Sequence, residues 1–426
     1  MTLARRPPSA TQLLARILDA PALPAQVRAL PPAVLAQVIE HIGLEDAGEL
    51  VALATPEQLA QVFDHDLWRA AQPGEDETFD AERFRVWLAV LCEAGDELVA
   101  EKLHALPEDL VTLAVHRQVL VLDLDAMIAV MQDGGEDVAA TEKALECTLH
   151  EEIEQYRLVA RQHDGWDDLV AALLALDRDH HDQLMSILER CAALSADYIE
   201  DHGGLYEVLT AEQMLEADLA GEREDRRAEA GHVAPSAAAA FLRLAEAPTA
   251  APAERDPLTR AYFRNLSRTP APAAPAAPAA PDLVPLLRAA GVVEPPPRLL
   301  PASSASREPV LVTALRRLAA ADPELFDRRA EELAYLANVL AAGCPVRGRR
   351  LRPAEAVEAA LSTCDHGLRL AMRRGTRAGQ LDAAVRVLEA QPADALFRLA
   401  WPEVHEKVEA GVLDGGRPAR GSASRR

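Results

Sequence analysis

The chain has 426 residues, with 44 Lys and Arg against 68 Asp and Glu, a formal net charge of −24. That length carries two or three domains with cores of their own. Apolar residues make up 49 % but aromatic residues only 4 %, and β-branched runs are scarce. The expected class is all-α, helices packed through Leu and Ala, and a large sheet protein is excluded.

The charge is unevenly placed. Residues 1–246 hold 18 basic and 48 acidic side chains, a formal −30, whereas the remainder holds 26 and 20, a formal +6. A field of that sign repels phosphate backbones, so nucleic acid is not an expected partner of the N-terminal part; cations, basic peptides or a basic segment of the same chain are. The five cysteines, Cys92, Cys147, Cys191, Cys344 and Cys364, are odd in number and widely spaced. They read as reduced, buried thiols rather than a zinc knuckle or a redox pair. The first residues have no long apolar core ahead of a cleavage site, so no secretory signal is expected and the reading is cytoplasmic. Leu110 to Met131 is interrupted by His116, Arg117, Gln118, Asp123 and Asp125, too costly for a membrane span.

From residue 30 the pattern predicts short helices in a solenoid of repeats over 1–136. Leu35, Val38, Ile39 and Ile42 make one apolar face after Pro31 and Pro32, which suit a first turn. Thr55 caps a helix with Gln58 three residues on, and Leu59, Val62 and Phe63 form its stripe. Phe84, Trp87, Leu88 and Leu91 form another, and a further unit opens at Pro107. Units this short gain stability by stacking.

An acidic helical block follows over 137–246. Leu145, Leu149, Ile153 and Tyr156 are predicted to line one helix. Leu184, Ile187, Leu188, Cys191 and Leu194 line a second, ended by Gly203 and Gly204, and Thr210 with Gln213 is a capping box. Residues 247–309 read as a disordered Pro-Ala-rich linker with the run 269–282 at its heart. A C-terminal helical block is expected over 310–413, with faces through Leu315 and Leu318, through Leu333 and Leu336, and through Ala360 and Cys364. A disordered basic tail closes the chain over 414–426. The Arg-rich turn 347–352 is read as docking on the acidic part of the same chain, ahead of docking an anion.

Residues 30–68, with Leu30-Pro31-Pro32, Gly43-Leu44-Glu45-Asp46-Ala47 and Phe63-Asp64-His65-Asp66-Leu67-Trp68, together with Tyr206–Leu215, Gly231–Ser236 and Leu333–Gly343, resemble an uncharacterised bacterial family known only as a domain of unknown function. The N-terminal repeats are also similar to the cytosolic N-terminal helical domain of the MgtE magnesium transporters and, more distantly, to armadillo-like flagellar motor switch proteins. The resemblance implies an acidic helical solenoid; transport is not implied, since no span accompanies it.

The densest cluster of metal-ligand types is Glu146, His150 and Glu154, spaced i, i+4, i+8 along a predicted helical face, with Asp177, Asp179, His180, His181 and Asp182, then Asp197, Asp201 and His202, further on. Glu146, His150, Glu154, Asp177 and His181 are the candidate ligands for a divalent cation, held by His and carboxylates. The plainer reading is solvated charge pairs, with Asp179 capping the helix that carries Leu184. In a continuous helix His180 would fall on the apolar stripe. Cys364 and His366 diverge on a helix and make no dyad. No nucleophile elbow or phosphate loop is present. The reading is therefore a non-enzymatic cytoplasmic scaffold or adaptor binding a protein with a basic surface. The alternative is a divalent-cation-responsive regulator or metal-dependent enzyme built on 146–202.

Overall fold

A computed structural model describes residues 9–72, 74–126, 148–200, 210–229, 231–246, 259–260, 262–263, 283–290, 292, 309–346, 349–372 and 380–409, with the backbone alone at 196–200, 284, 289 and 407–409. The protein is mainly helical, as expected, and divides into two units. The first comprises residues 1–69, 78–223 and 275–295, the second residues 70–77, 224–274 and 296–426.

In the first unit short helices follow one another as α1 (Ala10–Leu18), α2 (Leu23–Arg28), α3 (Pro32–Ile42), α4 (Gly48–Leu53), α5 (Pro56–Asp66), α6 (Ala81–Glu93), α7 (Asp96–Ala105) and α8 (Glu108–Gln118). Their starts are written in side chains. Thr55 Oγ1 accepts from Gln58 N at 3.2 Å while Gln58 Oε1 accepts from Thr55 N at 2.9 Å, the expected capping box. Gln58 Nε2 then donates to Val27 O at 2.9 Å and Leu30 O at 2.7 Å. These bonds run from α5 to carbonyls in the last turn of α2 and just beyond it, and fix α5 against that end. Asp80 caps α6 through Arg83 N at 2.9 Å. The stripes anticipated on α3, α5 and α6 are all buried, with Trp87 at the centre against Phe63, their ring centroids 4.9 Å apart.

A two-residue ladder, β1 (Trp68–Arg69) with β2 (Thr78–Phe79), interrupts this run. A three-stranded antiparallel sheet follows α8: β3 (Val119–Asp123), β4 (His150–Ile153) and β5 (Tyr156–Ala160), in the order β3-β5-β4. The register pairs Val119 with Ala160, Asp123 with Tyr156, and Ile153 with Tyr156. This corrects the helix expected through Leu149, Ile153 and Tyr156. Those positions satisfy a helical spacing, but Glu154, at φ 50°, turns the chain left-handed between two strands. Tyr156, Leu158 and Val159 are buried on the second strand. Leu145 and Cys147 lie outside the described residues.

The longest helix, α9 (Trp166–Glu200), packs on α6, α7, α8 and β3. Leu169, Leu173 and Leu176 are buried before its midpoint, and Leu184, Ile187, Leu188 and Cys191 after it. His180 is the stripe position between them, and the helix breaks there, with φ −144° and ψ 51°. A polar ring that a straight helix would bury is thereby released to half-burial. The break falls at His180 rather than at a cap on Asp179, whose carboxylate instead binds Arg178 at 2.8 Å.

α10 (Ala211–Glu229) opens at the expected capping box, Gln213 N to Thr210 Oγ1 at 3.2 Å. Its residues up to Arg223 belong to the first unit. Buried Arg223 donates to Asp64 O at 2.5 Å and lies over the Trp68 ring at 5.0 Å. In the stretch read as linker, α12 (Leu283–Ala290) buries Leu283 and Leu287 in the first core. The run 269–282, the glycines at 203 and 204 and the tail 414–426 lie outside the described residues.

The second unit contains α11 (Pro235–Glu246), α13 (Val310–Ala321), α14 (Pro323–Gly343), α15 (Pro353–Ala371), α16 (Gln380–Ala390) and α17 (Ala393–Glu409) around a core of Phe241, Tyr335, Leu336, Cys364, Phe397 and Trp401. Phe241 meets Tyr335 edge-on at 5.7 Å, and Phe397 stacks on Trp401 at 5.0 Å. A buried ion pair ties this unit. Arg329 Nη1 binds Glu332 at 3.0 Å and Arg329 Nε donates to Leu388 O at 2.8 Å, while Glu332 Oε2 accepts from Ala393 N at 2.8 Å. From the Arg-rich turn, Arg350 pairs with Glu77 at 2.7 Å, and Arg349 grips Glu355 in two bonds at 2.7 and 2.8 Å. Arg349, with the Arg352 N–H, pushes the Glu355 carboxyl down to about 2. Among the described residues, no helix is long and apolar enough to cross a membrane.

Candidate functional site

Three places in the first unit gather ionisable side chains. The first is the cluster expected from sequence, which the fold only partly assembles. His150 stands on β4 with its Nδ1 3.1 Å from Thr148 O, Glu154 occupies the β4–β5 turn, and Glu146 lies outside the described residues, as do Asp201, His202 and the side chain of Asp197. The single helical face through 146, 150 and 154 therefore does not form.

Glu154, Asp177 and His181 do come together. His181 Nδ1 lies 2.8 Å from Asp177 Oδ1 and its Nε2 lies 3.5 Å from Glu154 Oε1. The Asp177 hydrogen bond, then the Glu154 and Asp177 charges, raise the His181 pKa above its ordinary value. The two carboxylates meet opposite edges of the ring, which is the geometry of an imidazolium held between anions. Among the described residues, no group of three or more His, Cys, Asp or Glu side chains is arranged to hold a metal ion. The neighbouring His180 stacks flat on His104, ring centroids 3.7 Å apart and planes 3° apart, and His104 Nδ1 lies 2.7 Å from Gln183 Oε1. Sequence reasoning missed that pairing, because α7 and the break in α9 are more than seventy residues apart.

The second place is a half-buried network joining α8 to α10. Arg117 Nε lies 2.6 Å from Glu212 Oε1 and its Nη2 2.5 Å from Glu216 Oε2, and Glu216 Oε1 accepts from Phe79 N at 2.9 Å. His116, 1 % exposed, faces Glu212 at 3.6 Å. The His116 side chain, then the Arg117 guanidinium, hold the Glu212 carboxyl below its usual range. Each carboxylate here meets a base or a backbone N–H, so the network is a strut between elements.

The third place is an open groove of about 370 Å³ along the outer side of α6, lined by Glu45, Arg85, Val86, Ala89, Val90, Glu93, Gly165 and Asp168. It exists because Gly165, at φ 75°, brings the chain into α9 with no side chain where Arg85 passes. Arg85 is engaged by Glu82, by Gln162 Oε1 at 2.7 Å and by Asp164 O at 3.3 Å. Among the described residues, no basic side chain pairs with Glu45, Glu93 or Asp168. Beside them Cys92 Sγ donates to Asp168 O at 3.4 Å. Burial first, then the Asp168 and Asp96 charges, push that thiol up to about 11. Burial likewise pushes Cys344 to about 11 and Cys191 to about 12, and it raises Cys364. These thiols are poor nucleophiles at neutral pH. The Asp164-Gly165 dipeptide is a turn signal that the sequence carries beside this groove.

The sequence model of a family of unknown function (DUF6178) matches residues 6–201, the stretch that runs from α1 to the end of α9 and supplies every groove-lining residue. No curated protein and no solved structure matches the chain.

Proposed function

We propose that the protein is a non-enzymatic cytoplasmic scaffold or adaptor whose first unit docks a protein partner carrying a basic surface. The observation that supports this is the placement of charge. Glu93, Asp96, Glu97 and Glu101 are exposed in succession along α6 and α7, while Arg83, Arg117, Arg157 and Arg190 are engaged in ion pairs within the unit, with Asp66, Glu212 and Glu216, Glu152, and Glu108 and Asp109. Surplus anions face outward with few cations to relieve them, which favours a positive partner and speeds its arrival. The short helices α1 to α8 are read as a solenoid-like scaffold similar to the MgtE cytosolic domain, presenting that charge on an extended face.

The test is capture of partners from the native cell on the immobilised full chain at rising salt. Between about 0.1 M and 1 M salt the Debye length falls from ~10 Å to ~3 Å, so specific partners should be basic and should elute across that range. Partners that are acidic, or retained equally at both ends, would refute the reading.

A further inference from the structure

The groove on α6 is distinguished from the rest of the acidic surface by what lies between its charges. Val86, Ala89, Val90 and Glu93 recur at i, i+3, i+4 and i+7 on α6, a second stripe beside the buried one through Phe84, Trp87, Leu88 and Leu91. Val90 is buried and Val86 and Ala89 are half-buried, so the stripe forms an apolar floor with small side chains at its middle. Gly165 lowers the wall contributed by the start of α9. Glu45, Glu93 and Asp168 stand around this floor. Arg85, neutralised by its own partners, closes one side. The volume, about 370 Å³, falls within the range of clefts that seat ligand side chains.

We propose that this groove is the seat of the basic partner, and that its occupant is an amphipathic helical segment of that partner laying small apolar side chains on Val86, Ala89 and Val90 with Lys or Arg flanking them to meet Glu45, Glu93 and Asp168. This rests on the acidic-surface reading above and narrows it to one place. The floor fits a helix because a stripe of this spacing receives the ridge of a second helix, and groove recognition of a helix reads anchors at the same period. The charges fit Lys or Arg because three carboxylates around an apolar floor have no basic partner among the described residues. The raised Cys92 thiol, whose shift includes a contribution from Asp168, is a second sign of the negative potential there.

The experiment uses the full chain and two fluorescein-labelled probes of about 15 residues, roughly four helical turns. One is a Lys/Leu/Ala peptide patterned as an amphipathic helix; the other is a Lys/Gly/Ser peptide of equal charge. Binding is read by anisotropy at low salt. The patterned probe is expected to bind about tenfold more tightly than the unpatterned one, about 1.4 kcal/mol. Ala89→Leu, which fills the floor and leaves every charge in place, should remove that difference. Glu45→Gln, Glu93→Gln and Asp168→Asn together should weaken the patterned probe at least about tenfold, whereas Glu40→Gln, Glu101→Gln and Asp182→Asn, exposed carboxylates outside the groove lining, should change it less than about threefold. Equal loss from both triple variants, or no effect of Ala89→Leu, overturns the groove and leaves the acidic surface standing. No binding of either probe to the unaltered chain overturns both.

Discussion

Gly367 offers the sharpest test of the second unit, because α15 and α17 cross there backbone to backbone. A Cβ placed on Gly367 would fall within the van der Waals envelope of the Leu396 carbonyl oxygen, 2.7 Å from its carbon and 3.2 Å from its Cα. Ordinary contact begins near 3.4 Å, so the carbon contact alone requires about 0.7 Å of separation, and the oxygen requires more. The obstacle is main chain inside a helix, which cannot swing aside as a side-chain end does. Moving it loosens Cys364, Leu368, Leu396 and Phe397, all fully buried. Overpacking of this kind costs about 3 kcal/mol, offset by about 1 kcal/mol because Ala is the better helix former. Gly367→Ala should therefore destabilise the second unit by about 2 kcal/mol. That lowers its melting temperature by roughly 4–8 °C for a unit of this size and speeds globally limited amide exchange in α15 and α17 about 30-fold. Gly221 on α10 is exposed, and nothing lies within 4 Å of a Cβ there, so Gly221→Ala should act in the opposite direction by up to about 1 kcal/mol. Hydrogen exchange with mass spectrometry reads both. A neutral or stabilising Gly367→Ala would refute the close crossing.

Two further outcomes follow from charges. Glu332→Leu leaves the Arg329 guanidinium, 7 % exposed, without its carboxylate and orphans the Ala393 N–H. The single change should cost about 3–5 kcal/mol. Adding Arg329→Met should recover at least about 1 kcal/mol of it, read as a double-mutant cycle in urea; strict additivity would show the pair to be uncoupled. His181 has its pKa raised by Asp177 and Glu154, so its contribution to stability is complete below the ordinary value near 6.5 and is lost as pH rises through the higher folded value. Asp177→Asn should bring the titration of the His181 ring protons, followed by NMR, back toward 6.5, and an unchanged titration would remove the clamp.

Helix starts were legible because they are local. Thr55 with Gln58 and Thr210 with Gln213 announce themselves within four residues, and the bonds form as written. Apolar stripes such as Leu35, Val38 and Ile39 were legible for the same reason, and all are buried. The β3-β5-β4 sheet was not, since Leu149, Ile153 and Tyr156 satisfy helical spacing while the pairing that settles the matter, Val121 with Leu158, spans more than thirty residues. The candidate ligands failed to line one face for that reason, with His150 on a strand and Glu154 in its turn. The groove was illegible from either end alone. Its floor belongs to α6 and part of its wall to Gly165 and Asp168, and only the packing of α9 on α6 brings them together.

The same packing explains where the acidic surplus of residues 1–246 ends up. Several of the few basic residues hold elements together: Arg117 fastens α8 to α10, Arg190 fastens α9 to the start of α8, and Arg83 fastens α6 to the end of α5. Each of these pairs joins neighbouring elements, and each commits a partly exposed cation to a carboxylate of the same unit. With 48 acidic and 18 basic side chains available, every cation so engaged is one fewer to offset the remaining carboxylates, and self-repulsion among those opposes the compact state most at low ionic strength. A basic occupant of the proposed groove would relieve that repulsion at the same moment that it makes its own contacts. Its binding and the stability of the first unit are thus coupled, and each should strengthen the other.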